Sequence, residues 1–313
     1  MGTFLLRRLM RSAVLIVVVT FLTYFLVSLT PGDAAYTLLG ARATPEQLQA
    51  LRHDMELDQP LVEQYWRWLS SALHGDFGRS LLTQQSTSEV LSQRLEPTVS
   101  LLAGTVLVSV ALGCLFGVLA AVRGGWLGRL VDLVGQMGLA VPNFVLGLIL
   151  IAVFAVNMRL FPVSGYIAFA EDPGLWIRSL VLPVCGLAFG VIGVMARQLK
   201  VSMEEVMQRE FITAMRANGY PQRSIIYRHA LRNAGLPVVA NLGVIVVGML
   251  SGSVLMESVF ALPGLGSLLV QASAQADLPL VEGVVVVMTV IIVAVNIGVD
   301  LISAWLDPRV VRP

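Results

Sequence analysis

An all-α polytopic membrane protein, with six transmembrane helices and both termini in the cytoplasm, is the fold class the sequence predicts. Three observations predict it. The chain is 56% hydrophobic and 13% charged, where soluble domains are about 45–50% apolar and about 25% charged. Six stretches approach the roughly 20 apolar residues that a span needs: 12–29, 98–122, 133–156, 179–196, 236–256 and 283–305. Basic residues also gather on one side. With a cytoplasmic N-terminus, fourteen of the 21 Lys and Arg residues fall inside and seven outside, five of them in one long loop. That bias sets the orientation. The spans are read as helices because lone strands leave their backbone unsatisfied in lipid and no dyad alternation suggests a barrel.

The first span follows Arg7, Arg8 and Arg11. Its apolar run exceeds the 7–15 residues of a usual signal-peptide core, which favours a retained helix over a cleaved leader. Residues 30–97 form an extracytoplasmic amphipathic region. Thr44, Pro45 and Gln47 open a helix there through a capping box with proline at the first helical position. A second helix follows Pro60, with Val62, Trp66, Leu69 and Leu73 at helical spacing and Gly75 ending it. Two roles fit this region, a docking surface for an extracytoplasmic partner or a cap over the bundle.

Residues 98–305 make a five-helix core with two notable loops. The cytoplasmic loop 197–235 carries a capping box at Ser202–Glu205 and a face of Met203, Met207, Phe211 and Ala214. Gly219 acts as a left-handed terminator, and Gly219-Tyr220-Pro221 turns into a basic helix with Arg223, Arg228 and Arg232. The stripe suits a partner's groove or a lipid surface. In the extracytoplasmic loop 257–282, Pro263, Gly264 and Gly266 form a sharp turn, and the short apolar stretch 267–274 after it is either a partly inserted helix or a surface turn. Residues 306–313 are a cytoplasmic tail.

Several classes of chemistry are excluded. The only lysine, Lys200, follows Leu199, so no phosphate-cradling G-x-x-x-x-G-K-[ST] loop exists. No catalytic, cofactor-binding or metal-binding set is found. His53, His74 and His229 are widely separated, and Cys114 and Cys185 read as small apolar residues. The near-zero net charge of +1 gives no reason to expect nucleic acid as a partner. Asp132 and Asp300 sit near span ends, with Arg129 and Arg309 as expected pairing partners. No carboxylate is expected in mid-membrane, where it would suggest an ion relay. Gln136, Asn143, Asn241, Ser251, Ser253 and Asn296 are polar positions within spans. The first five are the candidate pathway-lining residues, with helix–helix hydrogen bonding as the alternative role. Pro142 and Pro183 interrupt the third and fourth spans.

The ordered motifs resemble the permease subunit of binding-protein-dependent ABC importers of the dipeptide, oligopeptide and nickel type. They are Pro31-Gly32-Asp33; Leu57-Asp58-Gln59-Pro60-Leu61; Gly75-Asp76-Phe77-Gly78-Arg79-Ser80; the stretch from Glu210 to Gly219, which resembles the EAA loop; His229 to Ala234; Glu257 through Pro263-Gly264-Leu265-Gly266; and Asp307-Pro308-Arg309. Met215 and Asn218 depart from the family pattern, where alanine and lysine are usual. The resemblance implies a type I importer permease fold and a coupling helix, with Glu210, Phe211, Ala214, Arg216, Ala217 and Gly219 meeting an ATPase subunit. It also implies a homologous second permease, two ATPase subunits that hold ATP and Mg, and an extracytoplasmic solute-binding protein around a multi-pass chain of the bacterial cytoplasmic membrane. The implied function is alternating-access import of di- or oligopeptides, with nickel, glutathione or haem as alternative cargoes. An ion-gradient-driven secondary transporter and a non-transporting membrane scaffold are the rival classes.

Overall fold

A computed structural model of the protein describes residues 2–29, 43–54 and 58–306. The Pro31-Gly32-Asp33 and Asp307-Pro308-Arg309 motifs, Leu57, the tail and the expected pairing of Asp300 with Arg309 lie outside them. The described residues are helical throughout, apart from turns and one isolated bridge between Arg79 and Ser86.

Helix α1 spans Gly2–Ser28, and its apolar part begins at Met10. Helix α2, Pro45–Asp54, starts as its capping box requires. The Thr44 amide donates to Gln47 Oε1 at 3.0 Å, and the Gln47 amide donates to Thr44 Oγ1 at 3.3 Å. Helix α3 covers Leu61–Ala72, and Gly75 sits beyond it at φ +86°. Of its expected apolar face only Leu69 is buried. Val62, Trp66 and Leu73 are exposed, whereas Tyr65 and Leu69 are buried. Aromatic contact explains the choice: the ring of Tyr65 meets those of Phe21 and Tyr24 edge-on, and its hydroxyl donates to the Val17 carbonyl at 3.0 Å. Burial pushes the Tyr65 phenol above its ordinary pKa.

Helix α4, Thr87–Arg123, starts well before the expected span and holds Pro97 inside it. The boundary expected at residue 98 is therefore not a helix boundary. The third span is not one helix. α5, Gly125–Ala140, and α6, Asn143–Leu150 with a π-helical continuation Ile151–Asn157, meet at a 103° bend. Pro142 explains the break, because a residue before proline is driven out of the helical region. Val141 is indeed extended, at φ −91° and ψ 119°.

Helix α7, Pro173–Met207, is longer at both ends than expected. Asp172 caps its start, accepting from the Gly174 and Leu175 amides at 2.8 and 3.0 Å. The helix runs straight through Ser202, so the capping box there is not a helix start. Buried Leu199, Met203 and Val206 continue the core-facing stripe and hold the chain helical. A separate short helix, α8, covers Glu210–Ala217. Helix α9, Gln222–Val259, joins the expected basic helix to the fifth span and contains a π-helical stretch, Ile225–Ala230. Helix α10, Leu265–Ala274, and helix α11, Leu278–Leu306, complete the described chain. Among the described residues five helices are long and apolar enough to cross a membrane; the bent α5–α6 pair makes a sixth crossing if it is one broken span.

The chain divides into two compact units. One comprises Met1–Thr98 with Pro263–Val293. In it, Leu91, Leu265, Leu268, Ala272, Leu280, Val281 and Val284 form an apolar core. Asp277 ties down the segment between α3 and α4, accepting from the Ser80 hydroxyl and from the Leu81 amide at 3.2 Å. His53 and Asp58 are hydrogen-bonded at 2.9 Å at the surface, and this bond holds the Asp58 carboxyl below its ordinary pKa. The other unit comprises Val99–Leu262 with Ala294–Pro313. Its α5 and α7 helices touch backbone to backbone: a Cβ built on Gly138 would lie 2.5 Å from the Gly190 Cα.

Candidate functional site

The second unit holds the segment from Glu210 to Gly219, and its geometry begins with what anchors it. Ile212 is wholly buried and Met215 half-buried. Three residues apart, they share one face of α8. That face seats on a core formed by Met195, Leu199, Met203, Val206, Ile225 and Ile226. The other residues of α8 face outward. Glu210, Ala214, Arg216 and Ala217 are exposed, and Phe211 keeps 39% of its surface open.

Sequence reasoning named Phe211 and Ala214 but grouped them with Met203 on one face. The structure separates them, because the break at Gln208–Arg209 starts a new helix with its own phase. Ile212 and Met215 were not singled out as anchors. Their three-residue spacing was the available signal. Met215 is the residue that departs from the family's usual alanine, and here the larger side chain packs on the core.

Helix α8 ends as predicted. Gly219 is left-handed at φ +75°, its amide donates to the Arg216 carbonyl at 3.1 Å, and the Tyr220 amide donates to the Met215 carbonyl at 3.1 Å. This is a complete Schellman cap. Asn218 adds a bond from its side-chain amide to the Ala214 carbonyl at 2.9 Å. Beyond the cap, Tyr220 and Tyr227 are 52% and 60% exposed, and Tyr220 meets the His229 ring edge-on at 6.5 Å. These tyrosines extend the outward surface, and sequence reasoning missed them.

The candidate pathway residues do not form one cluster. Asn143 lines a cavity of about 230 Å³ together with Leu187, Gly190 and Met249. Ser253 is wholly buried and donates to the Leu250 carbonyl of its own helix at 2.9 Å. Gln136, Asn241 and Ser251 are exposed. On α9 the exposed residues Asn241, Val244, Gly248, Ser251 and Leu255 recur at three- and four-residue intervals, so one stripe of that helix is open. Asn296 Oδ1 fills the space that a side chain at Gly243 would need, so Asn296 serves helix contact.

Asp132 does not pair with Arg129. Its Oδ2 accepts from Lys200 Nζ at 2.7 Å, and Arg197 Nε lies at 4.0 Å from its Oδ1. Glu257 and Glu282, expected in or beside a loop, lie instead in helices α9 and α11 and are wholly buried, each near its helix end. The turn between α9 and α10 also differs in detail. The left-handed residue is Ala261 at φ +49°, whereas Gly264 is extended and precedes α10. Among the described residues no group of His, Cys, Asp and Glu is arranged to hold a metal.

Comparison with known proteins fits this arrangement. Residues 113–312 match the family of binding-protein-dependent transport system inner membrane components, and residues 1–102 match the N-terminal region of such components. The chain belongs to this family. It is 38% identical, over 99% of both chains, to a protein assigned as a peptide transport system permease in Brucella abortus. It is 34% identical to a protein of Escherichia coli assigned as a D,D-dipeptide transport system permease, over 93% of this chain and 92% of that one. It is 31% identical, over 99% of both, to a glutathione transport system permease protein of Escherichia coli. The chain is thus a binding-protein-dependent permease of the dipeptide and oligopeptide type, a multi-pass component of the cytoplasmic membrane. The apolar helices are its membrane-crossing part.

Proposed function

We propose that this permease forms half of the conduit of an ATP-driven importer of di- or oligopeptides, moved by ATPase subunits that grip α8. The observation that carries the reading is the division of labour in α8. One buried isoleucine and one half-buried methionine tie the helix to the bundle core, while Glu210, Phe211, Ala214, Arg216 and Ala217 are left outward for another chain. A short helix fixed in this way transmits a push as a rigid lever. Its Gly219 cap lets the chain turn straight back into α9.

Both termini and the α8 segment lie in the cytoplasm, and α5–α6 counts as one broken crossing, giving six. The open stripe of Asn241, Gly248 and Ser251 on α9 faces a homologous second permease and the pathway between them, since polar groups on a spanning helix avoid lipid. Asn143, at the bend, lines that pathway, with Gln136 on the preceding helix. A solute-binding protein delivers cargo from outside, and two ATPase subunits bind ATP and Mg. This chain carries no nucleotide or other cofactor. The bundles alternate between outward and inward access as the ATPase subunits close and reopen. Peptide cargo is supported by the relatives' names, which print peptide, D,D-dipeptide and glutathione.

The test is uptake by the full complex in proteoliposomes. Dipeptide, tripeptide, glutathione, nickel and haem are offered in parallel, with the binding protein present. Peptide uptake that needs ATP supports the reading; uptake driven by an ion gradient without ATP overturns it. Gly219→Val, strained at positive φ, should abolish uptake while basal ATP hydrolysis persists. Unchanged uptake by that variant would overturn the role given to α8.

A further inference from the structure

The second unit contains an apolar cavity of about 310 Å³ that the transport reading does not use. Three helices wall it. Phe116 and Leu119 come from the last turns of α4, Leu130 from the first half of α5, and Phe189 and Ile192 from α7. Arg123, the last residue of α4, also lines the cavity. From Phe116 to Arg123 the helix rises about 10 Å, so the cavity runs from the α4–α5 turn into the hydrocarbon depth of the bundle. The turn itself is made by Gly124 and Gly125, both at positive φ. Just beyond it Trp126 is 70% exposed, and Arg129 is exposed as well. Tryptophan and arginine at a helix end mark the level of lipid headgroups.

Phe116 and Leu130 keep 43% and 44% of their surface open, so the cavity opens to the bundle's surroundings, and beside a bilayer an acyl chain is the apolar material at hand. The arginine narrows the choice. Among the described residues no carboxylate comes within ion-pair distance of Arg123. A cation at the rim and a hydrocarbon-lined interior together complement an amphiphile with an anionic head. A soluble anion would gain nothing from the apolar wall, and a zwitterionic lipid would gain less from the guanidinium, because its own ammonium offsets its phosphate.

We propose that this cavity holds one acyl chain of an anionic phospholipid, with the phosphate on Arg123. The site lies at the inner leaflet, a placement that rests on the cytoplasmic orientation proposed above. The bound lipid would wedge between α4, α5 and α7 on the side of α5 that carries Leu130.

The test uses the assembled complex, purified into nanodiscs of phosphatidylcholine containing phosphatidylglycerol, with native mass spectrometry counting each retained lipid. The wild-type complex should retain phosphatidylglycerol in preference. Arg123→Gln should lower its retention roughly fivefold, the worth of one basic residue at an anionic surface, and Arg123→Lys should restore most of it. Leu130→Trp, at an exposed lining position, should exclude both lipids without disturbing the fold. Equal retention by wild type and Arg123→Gln, or retention by Leu130→Trp, overturns the site. So does a Leu130→Cys cross-link to a second permease subunit in place of lipid. Labelling of Trp126→Cys from inside or outside whole cells reads the orientation separately, so failure of the topology and failure of the lipid site are told apart.

Discussion

Lys200 Nζ donates to Asp132 Oδ2 at 2.7 Å and to the Gly128 carbonyl at 3.3 Å, clipping α7 to α5 with the only lysine in the chain. The ammonium is nearly buried, with 13% of the Lys200 side chain exposed, while Asp132 reaches solvent. Lys200→Met should therefore destabilise the complex by about 1–3 kcal/mol, between the worth of a surface pair and of a buried one. Adding Asp132→Asn to Lys200→Met should recover part of the loss, since the stranded carboxylate causes much of it. Thermal unfolding of the four members of this double-mutant cycle measures the coupling. Equal stability of Lys200→Met and wild type would show that the clip holds nothing.

Ile212 and Phe211 are adjacent and should behave oppositely. Ile212 is wholly buried, and Ile212→Ala should cost about 2–4 kcal/mol through the cavity it leaves. Phe211 keeps 39% of its surface open, and Phe211→Ala should cost less than Ile212→Ala, about 1 kcal/mol, while reducing uptake severalfold. Melting temperature and uptake measured on the same preparations separate the two effects. A Phe211→Ala complex with full uptake would remove Phe211 from the coupling surface.

The contact of α5 with α7 tolerates no side chain. A Cβ on Gly190 would lie 2.6 Å from the Gly138 carbonyl oxygen, a backbone atom that cannot swing aside. Gly190→Leu should force the helices apart and abolish accumulation of folded protein, at a cost of about 3 kcal/mol or more. Gly248, with nothing within 4 Å of its would-be Cβ, should accept alanine with folding intact. Fluorescence-detected size-exclusion profiles of the two variants compare them directly.

Ala261 closes α9 in the left-handed region at φ +49°, where the Leu262 amide donates to the Glu257 carbonyl at 2.8 Å. A non-glycine residue there bears about 1–2 kcal/mol of strain. Ala261→Gly should raise stability by about 1 kcal/mol once glycine's own entropy cost is deducted. A thermal shift in detergent reads it, and no rise would mean that the turn relaxes in solution.

What could be read from the sequence followed from local chemistry. The Thr44–Gln47 box and the Gly219 cap depend on neighbours within a few residues, and both stand where the residues put them. Apolar runs announced the membrane because lipid demands length and composition, not particular contacts. The motifs from Glu210 to Gly219 and from Glu257 to Gly266 carry the family resemblance in their residues alone.

Tertiary structure decided what depends on competition between distant groups. Ser202 looks like a helix start, but Leu199, Met203 and Val206 find a core and carry the helix past it. Tyr65, not Val62 or Trp66, is buried on α3 because α1 supplies Thr20, Phe21 and Tyr24 to receive it. Asp132 chose Lys200, 68 residues away, over Arg129 beside it, because α5 and α7 approach through paired glycines. Composition and periodicity report how a segment meets its solvent. Which face meets which neighbour depends on shapes assembled from the whole chain, and one segment read alone does not contain them.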